Sequence, residues 1–171
     1  MPFTAFSTDR FLVQPWGPLL RDADTRQFIE HALHEILTPA VTAHLPGALH
    51  LGQGARAASE WIDARDAESD VLTITAKEDG RLIGLVILAP DPTEAALHVG
   101  YLFAERVWGQ GAASEVLTGL VASLRNAGPV RLVGGVDRDN PASARVLEKA
   151  GFALDPALST PYSALYGLDI A

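Results

Sequence analysis

Arg106-Val107-Trp108-Gly109-Gln110-Gly111-Ala112-Ala113-Ser114 is the stretch on which the reading of this chain turns. Upstream, Ala95 to Phe103 is apolar and strand-like. Downstream, Ala113, Val116, Leu117, Leu120, Val121 and Leu124 recur at the spacing of an amphipathic helix. A turn carrying two glycines therefore delivers a strand into a helix N-terminus. The first N–H groups of such a helix have no internal partner, and the aligned peptide dipoles add partial positive charge. Glycine lets a phosphate approach those amides closely, so the stretch reads as an anion cradle. The alternative is a plain strand-to-helix connection.

The surrounding composition narrows the function. With 48% apolar and 20% charged residues, the 171-residue chain is expected to be globular, a single domain spanning 1–171. Thirteen Lys and Arg against 21 Asp and Glu give a net charge of −8 with no basic block, which argues against direct nucleic-acid binding and is compatible with a cationic substrate. The absence of cysteine excludes disulfides, thiolate metal sites and a cysteine acyl-enzyme. Met1 to Leu20 is broken by Asp9, Arg10 and Pro15, unlike a signal or transit peptide. The longest strongly apolar run, Leu82 to Ala89, is far shorter than the roughly 20 residues that span a bilayer. A soluble, cytoplasmic protein with no membrane partner is expected, and its oligomeric state, monomer or homodimer, is left open.

Working outward toward the N-terminus, Arg10 to Val13 reads as a strand closed by a Pro15-Trp16-Gly17 turn. Asp22 to Leu37 reads as a helix capped by Asp24 or Thr25, with Phe28, Ile29, Ala32, Leu33 and Ile36 on one face. His31 and His34 lie one turn apart on it, but no carboxylate at a matching position completes a set, so no metal is expected. Thr38 to Gly54 is irregular, and Ala57, Ala58, Trp61 and Ile62 carry a second helix ending near Asp66. Val71 to Lys77, Glu78-Asp79-Gly80 and Arg81 to Leu88 form a hairpin, which Ala89-Pro90-Asp91-Pro92 breaks.

Toward the C-terminus, Asn126-Ala127-Gly128-Pro129 ends the central helix and Val130 to Val136 is a strand. Pro141 to Ala150 is a helix with Asn140 as its cap, and Phe152 to Leu154 and Ser163 to Ile170 are the last strands. Strand, helix, strand from Ala95 to Val136 is a crossover unit, so those two strands are predicted parallel and the others mostly antiparallel. The fold class is α/β (α+β), a single mixed, mostly antiparallel sheet. A dinucleotide fingerprint in Gly109-x-Gly111-x-x-Ser114 with Asp137 fails: several residues separate Phe103 from Gly109, and too little chain follows Asp137.

Two segments then combine. Arg106-x-x-Gly109-x-Gly111, or in a shifted register Trp108-x-x-Gly111-x-Ala113, is followed by Asn140-Pro141-Ala142-Ser143-Ala144-Arg145-Val146-Leu147-Glu148-Lys149-Ala150-Gly151-Phe152. Together they resemble the GNAT superfamily of acyl-CoA-dependent N-acetyltransferases. Gly100-Tyr101, Trp108-Gly109-Gln110-Gly111, Glu115, Asn140-x-x-Ser143, Leu37-Thr38-Pro39-Ala40-Val41 and Trp61-Ile62 look most like the branch that acetylates N-termini of ribosomal proteins. The resemblance implies helices on both faces of the sheet and a parallel pair splayed to admit acetyl-CoA as co-substrate. Backbone near Leu102 and Phe103 would pair with the pantetheine arm, as an added strand does. The amides of Gly109, Gln110, Gly111, Ala112, Ala113 and Ser114 would hold the pyrophosphate, and Asn140 and Ser143 would touch the far side of the pantetheine. Arg145 and Lys149 could reach toward phosphates or form an exposed face.

With no cysteine, direct attack of an amine on the thioester is the economical chemistry. The amine must first lose a proton, which at pH 7 costs about 1 kcal/mol for an α-amine and nearly 5 for an unperturbed lysine. Many relatives carry a tyrosine acid at the position of Leu147, where leucine cannot serve. Ser143 is the substitute as acid, or else only a pantetheine contact. His98 stands where relatives often carry a glutamate that acts as base, or else is a packed core histidine. Tyr162 and Tyr166 are expected in the core, and the acceptor pocket is expected from the first two helices and the last hairpin. The acceptor is then a protein N-terminal amine. A small-molecule amine, or a non-catalytic acyl-CoA-binding module, are the alternatives.

Overall fold

The computed structural model describes residues 3–92 and 94–171. Eight strands, β1 (Phe6–Ser7), β2 (Phe11–Pro15), β3 (Asp70–Ala76), β4 (Leu82–Pro90), β5 (Ala96–Phe103), β6 (Val130–Asp137), β7 (Ala153–Asp155) and β8 (Ser163–Ile170), form one sheet. Their order is β1-β2-β3-β4-β5-β6-β8-β7. Only β5–β6 is a parallel pair among them, as the crossover through the central helix requires. The helices are α1 (Trp16–Leu20), α2 (Ala23–Ile36), α3 (Pro39–Thr42), α4 (Ala57–Glu68), α5 (Ala112–Leu124) and α6 (Pro141–Lys149).

The apolar run of β4 explains why the helices occupy both faces. Alternate side chains of a strand point to opposite sides, so Val86 and Leu88 join one core while Leu85 and Ile87 join the other. On the first face, α5 lays Val116, Leu117, Leu120 and Val121 against β4, β5 and β6, beside Leu147 of α6. On the second, Ile29, Leu33 and Ile36 of α2 and Trp61 and Ile62 of α4 cover Val71, Leu85, Ile87 and Leu102.

Several local expectations need correction. The Pro15-Trp16-Gly17 turn is instead the start of α1, too short for a periodicity to register. Trp16 holds it down: it is buried, its Nε1 donates to Asp66 Oδ1 at 2.9 Å, and its ring meets Trp61 edge-on. The cap of α2 is Asp22, two residues before the nearer of the expected ones, accepting from Thr25 N at 2.8 Å. Phe28, expected in the buried stripe, is half exposed. The irregular Thr38–Gly54 segment contains α3, capped by Thr38, and a 3-10 turn at Gly47–Leu49. Ala89 and Pro90 belong to β4 rather than to a break; β3 pairs no further than Leu88, so the missing Pro90 N–H costs no ladder bond. Tyr166 is in the core as expected, whereas Tyr162 is 85% exposed.

Candidate active site

The site begins where β5 and β6 part. They pair only at Ala96–Arg131, Leu97–Leu132 and His98–Val133, although both strands run on. Beyond that point β5 keeps β4 as far as Phe103, and β6 keeps β8 as far as Asp137. Each strand thus has an outer partner and an unpaired inner edge. A cleft of about 900 Å³ opens into the gap.

Ladder alternation shows which backbone groups face it. Asp91 N–H donates to Ala96 C=O and Ala104 N–H to Ile83 C=O, so even-numbered residues of β5 turn their main-chain groups to β4 and odd-numbered ones to the gap. The Leu102 main chain is therefore committed to β4, a correction to the expected pairing with an added strand. Phe103 faces the gap, and its carbonyl accepts from Trp108 Nε1 at 2.8 Å. Val99 N–H still serves the last β6 rung, so the remaining open inward groups are the Val99 carbonyl and the Tyr101 main chain, which no sequence signal distinguished, because parity depends on the β4 register.

At the end of β5, a 3-10 turn (Glu105–Val107) leads to Gly109 and Gly111, both in the left-handed region at φ +69° and +74°. Gly111 is the N-cap of α5 and offers no side-chain acceptor. The first-turn N–H groups of Ala112, Ala113 and Ser114 therefore lack intrahelical acceptors, and these three residues line the cleft with Gly109 and Gly111. Gln110 does not line it; its side-chain amide donates to Arg106 C=O at 2.9 Å. From far away in sequence, Arg10 fixes the helix end: its backbone N and Nε reach Glu115 at 2.9 and 2.7 Å. Burial would raise the Glu115 carboxyl, but hydrogen bonds from Thr8 and Arg10 outweigh it and hold the group below the usual carboxylate range.

Across the gap, Asn140 caps α6, its Oδ1 accepting from Ser143 N at 3.2 Å. Ser143 Oγ lies 2.6 Å from Tyr101 Oη, which also donates to Ser143 C=O at 3.2 Å. Burial pushes the Tyr101 hydroxyl up, so it stays protonated at neutral pH; the bond with Ser143 opposes this only in part. Tyr101 was visible in the sequence only as part of the Gly100-Tyr101 wording, and its pairing with Ser143 depends on two elements meeting in space. Leu147 is 1% exposed and packs beside Gly134, where an added Cβ would stand 2.9 Å from its Cδ1. Arg145 and Lys149 are exposed.

His98, on the opposite face of β5 from Tyr101, also lines the cleft, and its side chain is 43% exposed rather than packed in the core. Its Nε2 lies 2.6 Å from Asp91 Oδ2. This face of the cleft is closed by Ala40, Val41, His44, Leu45, Pro46, Ala48 and Leu49 and by Arg65, Glu68 and Ser69. Neither α2 nor the β7–β8 hairpin, expected to form the pocket, contributes to the described lining. His44 Nδ1 reaches Asp137 Oδ2 at 3.4 Å, joining the α3 loop to the end of β6. Among the described residues no group of three or more metal-ligating side chains is present, and His31 is well exposed with Glu35 beside it.

A family model described as "Acetyltransferase (GNAT) domain" matches residues 17–153. None of the curated protein sequences matches the chain. Among solved structures it is similar to a GNAT-family acetyltransferase from Bacillus anthracis at 14% identity, covering 98% of each chain with a TM-score of 0.70. RimL, a ribosomal L7/L12 alpha-N-protein acetyltransferase solved with coenzyme A, is similar at 16% identity over 97% of this chain and 98% of that one, with a TM-score of 0.74. A Salmonella typhimurium acetyltransferase that modifies the N-terminal serine of L7/L12 gives 17%, 96%, 97% and 0.70 for the same quantities. Those identities establish the fold alone, but the family model spans most of the chain, and the splayed strands and glycine-capped helix end suit a thioester carried on a long diphosphate arm. The chain therefore belongs to the GNAT acetyltransferases, enzymes that use acetyl-CoA.

Proposed function

We propose that this enzyme acetylates a protein N-terminal α-amine, with the two faces of β5 dividing the work. The observation that carries this reading is the gap beyond His98, with Tyr101 and Ser143 on one side and His98 and Asp91 on the other. Acetyl-CoA supplies the activated acetyl thioester. The inward N–H groups of Tyr101 and Phe103 and the inward carbonyl of Val99 offer strand-like pairing to an amide-bearing arm. The bare amides of α5 hold a diphosphate, with Asn140 and Ser143 on the far wall.

His98 turns Nε2 to the Asp91 carboxylate at 2.6 Å, which makes Nδ1 the atom to take a proton from the incoming ammonium. The Ser143 hydroxyl, paired with the protonated Tyr101, supplies a proton to the departing sulfur. The amine nitrogen gains the acetyl carbon and the carbon–sulfur bond breaks; the nitrogen's second proton returns to the Ser143 oxygen, directly or through water, His98 releases the first to solvent, and the products are the acetylated amine, free CoA and one proton.

Two features support an α-amine over a lysine. Deprotonation costs about 1 kcal/mol for an α-amine against nearly 5 for a lysine, and a single histidine base suits the smaller cost. The two L7/L12 acetyltransferases, which match nearly end to end, act on such an amine. The test is mass spectrometry of serine- and alanine-initiated peptides set beside polyamines, aminoglycosides and free amino acids. The expected result is a single acetyl on the peptide α-amine. Turnover confined to small amines would overturn the reading.

A further inference from the structure

Arg65 is the one cationic side chain other than histidine among the described residues of the cleft wall, and it is 6% exposed. A buried guanidinium is costly unless its donors are used. Here Nη1 donates to the Ala48 carbonyl and Nη2 to Glu68 Oε2 at 3.0 Å, while the planar head lies over the Trp61 ring, 5.6 Å from its centre. Trp61, one turn earlier on α4, sends Nε1 to the Leu49 carbonyl at 3.2 Å. Two consecutive carbonyls of the Gly47–Leu49 turn are thus pinned to one face of α4. This turn and the two residues before it supply Leu45, Pro46, Ala48 and Leu49 to the wall opposite the gap. A single 3-10 turn has little cohesion of its own, and here its two carbonyl anchors give it a defined shape as a wall.

We infer that Arg65 is a positioning residue for the acceptor: with Trp61 it sets the shape of the acceptor mouth and does not touch the coenzyme half. The inference rests on reading this side of the cleft as the acceptor side. Glu68 balances its charge, so Arg65 also adds no net positive charge to repel an ammonium.

Arg65→Lys keeps the charge but loses the planar fork, and Trp61→Phe keeps one aromatic ring but removes the N–H together with the five-membered ring that carries it. The acceptor probe is a serine-initiated peptide or, should no peptide be acetylated, the best small amine of the same panel. Arg65→Lys is expected to raise the acceptor KM roughly tenfold to a hundredfold. It should also speed amide exchange at residues 45–49, while the calorimetric Kd for CoA stays unchanged. Trp61→Phe should give the same pattern with a smaller rise. An unchanged acceptor KM, unchanged loop exchange in both variants, or a CoA Kd that moves by the same factor as the acceptor KM would overturn the inference. A failed peptide assay with a loosened loop counts instead against the α-amine reading.

Discussion

The Tyr101–Ser143 contact is where single side chains have most to say about chemistry. If the serine hydroxyl protonates the leaving sulfur, Ser143→Ala should lower kcat about a hundredfold, within the usual range for a general acid, with the KM for acetyl-CoA nearly unchanged. Tyr101→Phe removes only the hydroxyl's partner and should cost less. A rise in KM for acetyl-CoA at constant kcat would make Ser143 a binding contact alone. Glu115 acts on stability instead. Its carboxyl is held below the usual range in the folded protein, so the stabilisation is complete above the unfolded pKa of about 4.3 and is lost as pH falls through the folded value. Arg10 is 45% exposed and screened by solvent, which limits the pair to about 1 kcal/mol. Denaturant unfolding should show Glu115→Gln less stable than the natural chain at pH 7 and the difference vanishing in acid. A constant difference at all pH values would contradict this.

At the scale of elements, the α5 N-terminus is the most sensitive joint. Gly111→Ala puts a side chain at φ +74° and on the path of a phosphate, so CoA calorimetry should show binding weakened about tenfold or more, with stability reduced by about 1 kcal/mol. Unchanged affinity would move the diphosphate elsewhere. This joint was legible because glycine, helix periodicity and capping are local signals, and Asn140 with Pro141 was legible for the same reason. α1 was not: its five residues stand through Trp16 and its contacts with Asp66 and Trp61, which sequence spacing does not reveal. The inward parity of β5 was equally hidden, since a shift of one residue in the β4 register would have exchanged Leu102 for its neighbours. Phe28 shows a milder failure, where an apolar residue at helical spacing lies at the edge of its stripe.

The whole molecule brings these joints together on one sheet. Its inner strands are covered on both faces, so the parting of β5 and β6 leaves a gap in an otherwise paired interior. Fold class, crossover and glycine turn could be read from the chain, and the cleft wall in part: the second expected helix, α4, lines it as expected, whereas α2 and the last hairpin do not, because which element faces the gap depends on packing between segments distant in sequence. The central claim is that acetyl-CoA enters this gap with its diphosphate on α5. Residue-resolved hydrogen exchange with and without CoA tests it directly. Binding should slow exchange at Ala112, Ala113 and Ser114 and at Tyr101, with little change at Leu102 and Val99, whose amides already pair with β4 and β6. Saturating CoA that leaves the α5 amides and the inner edge of β5 unprotected would contradict it.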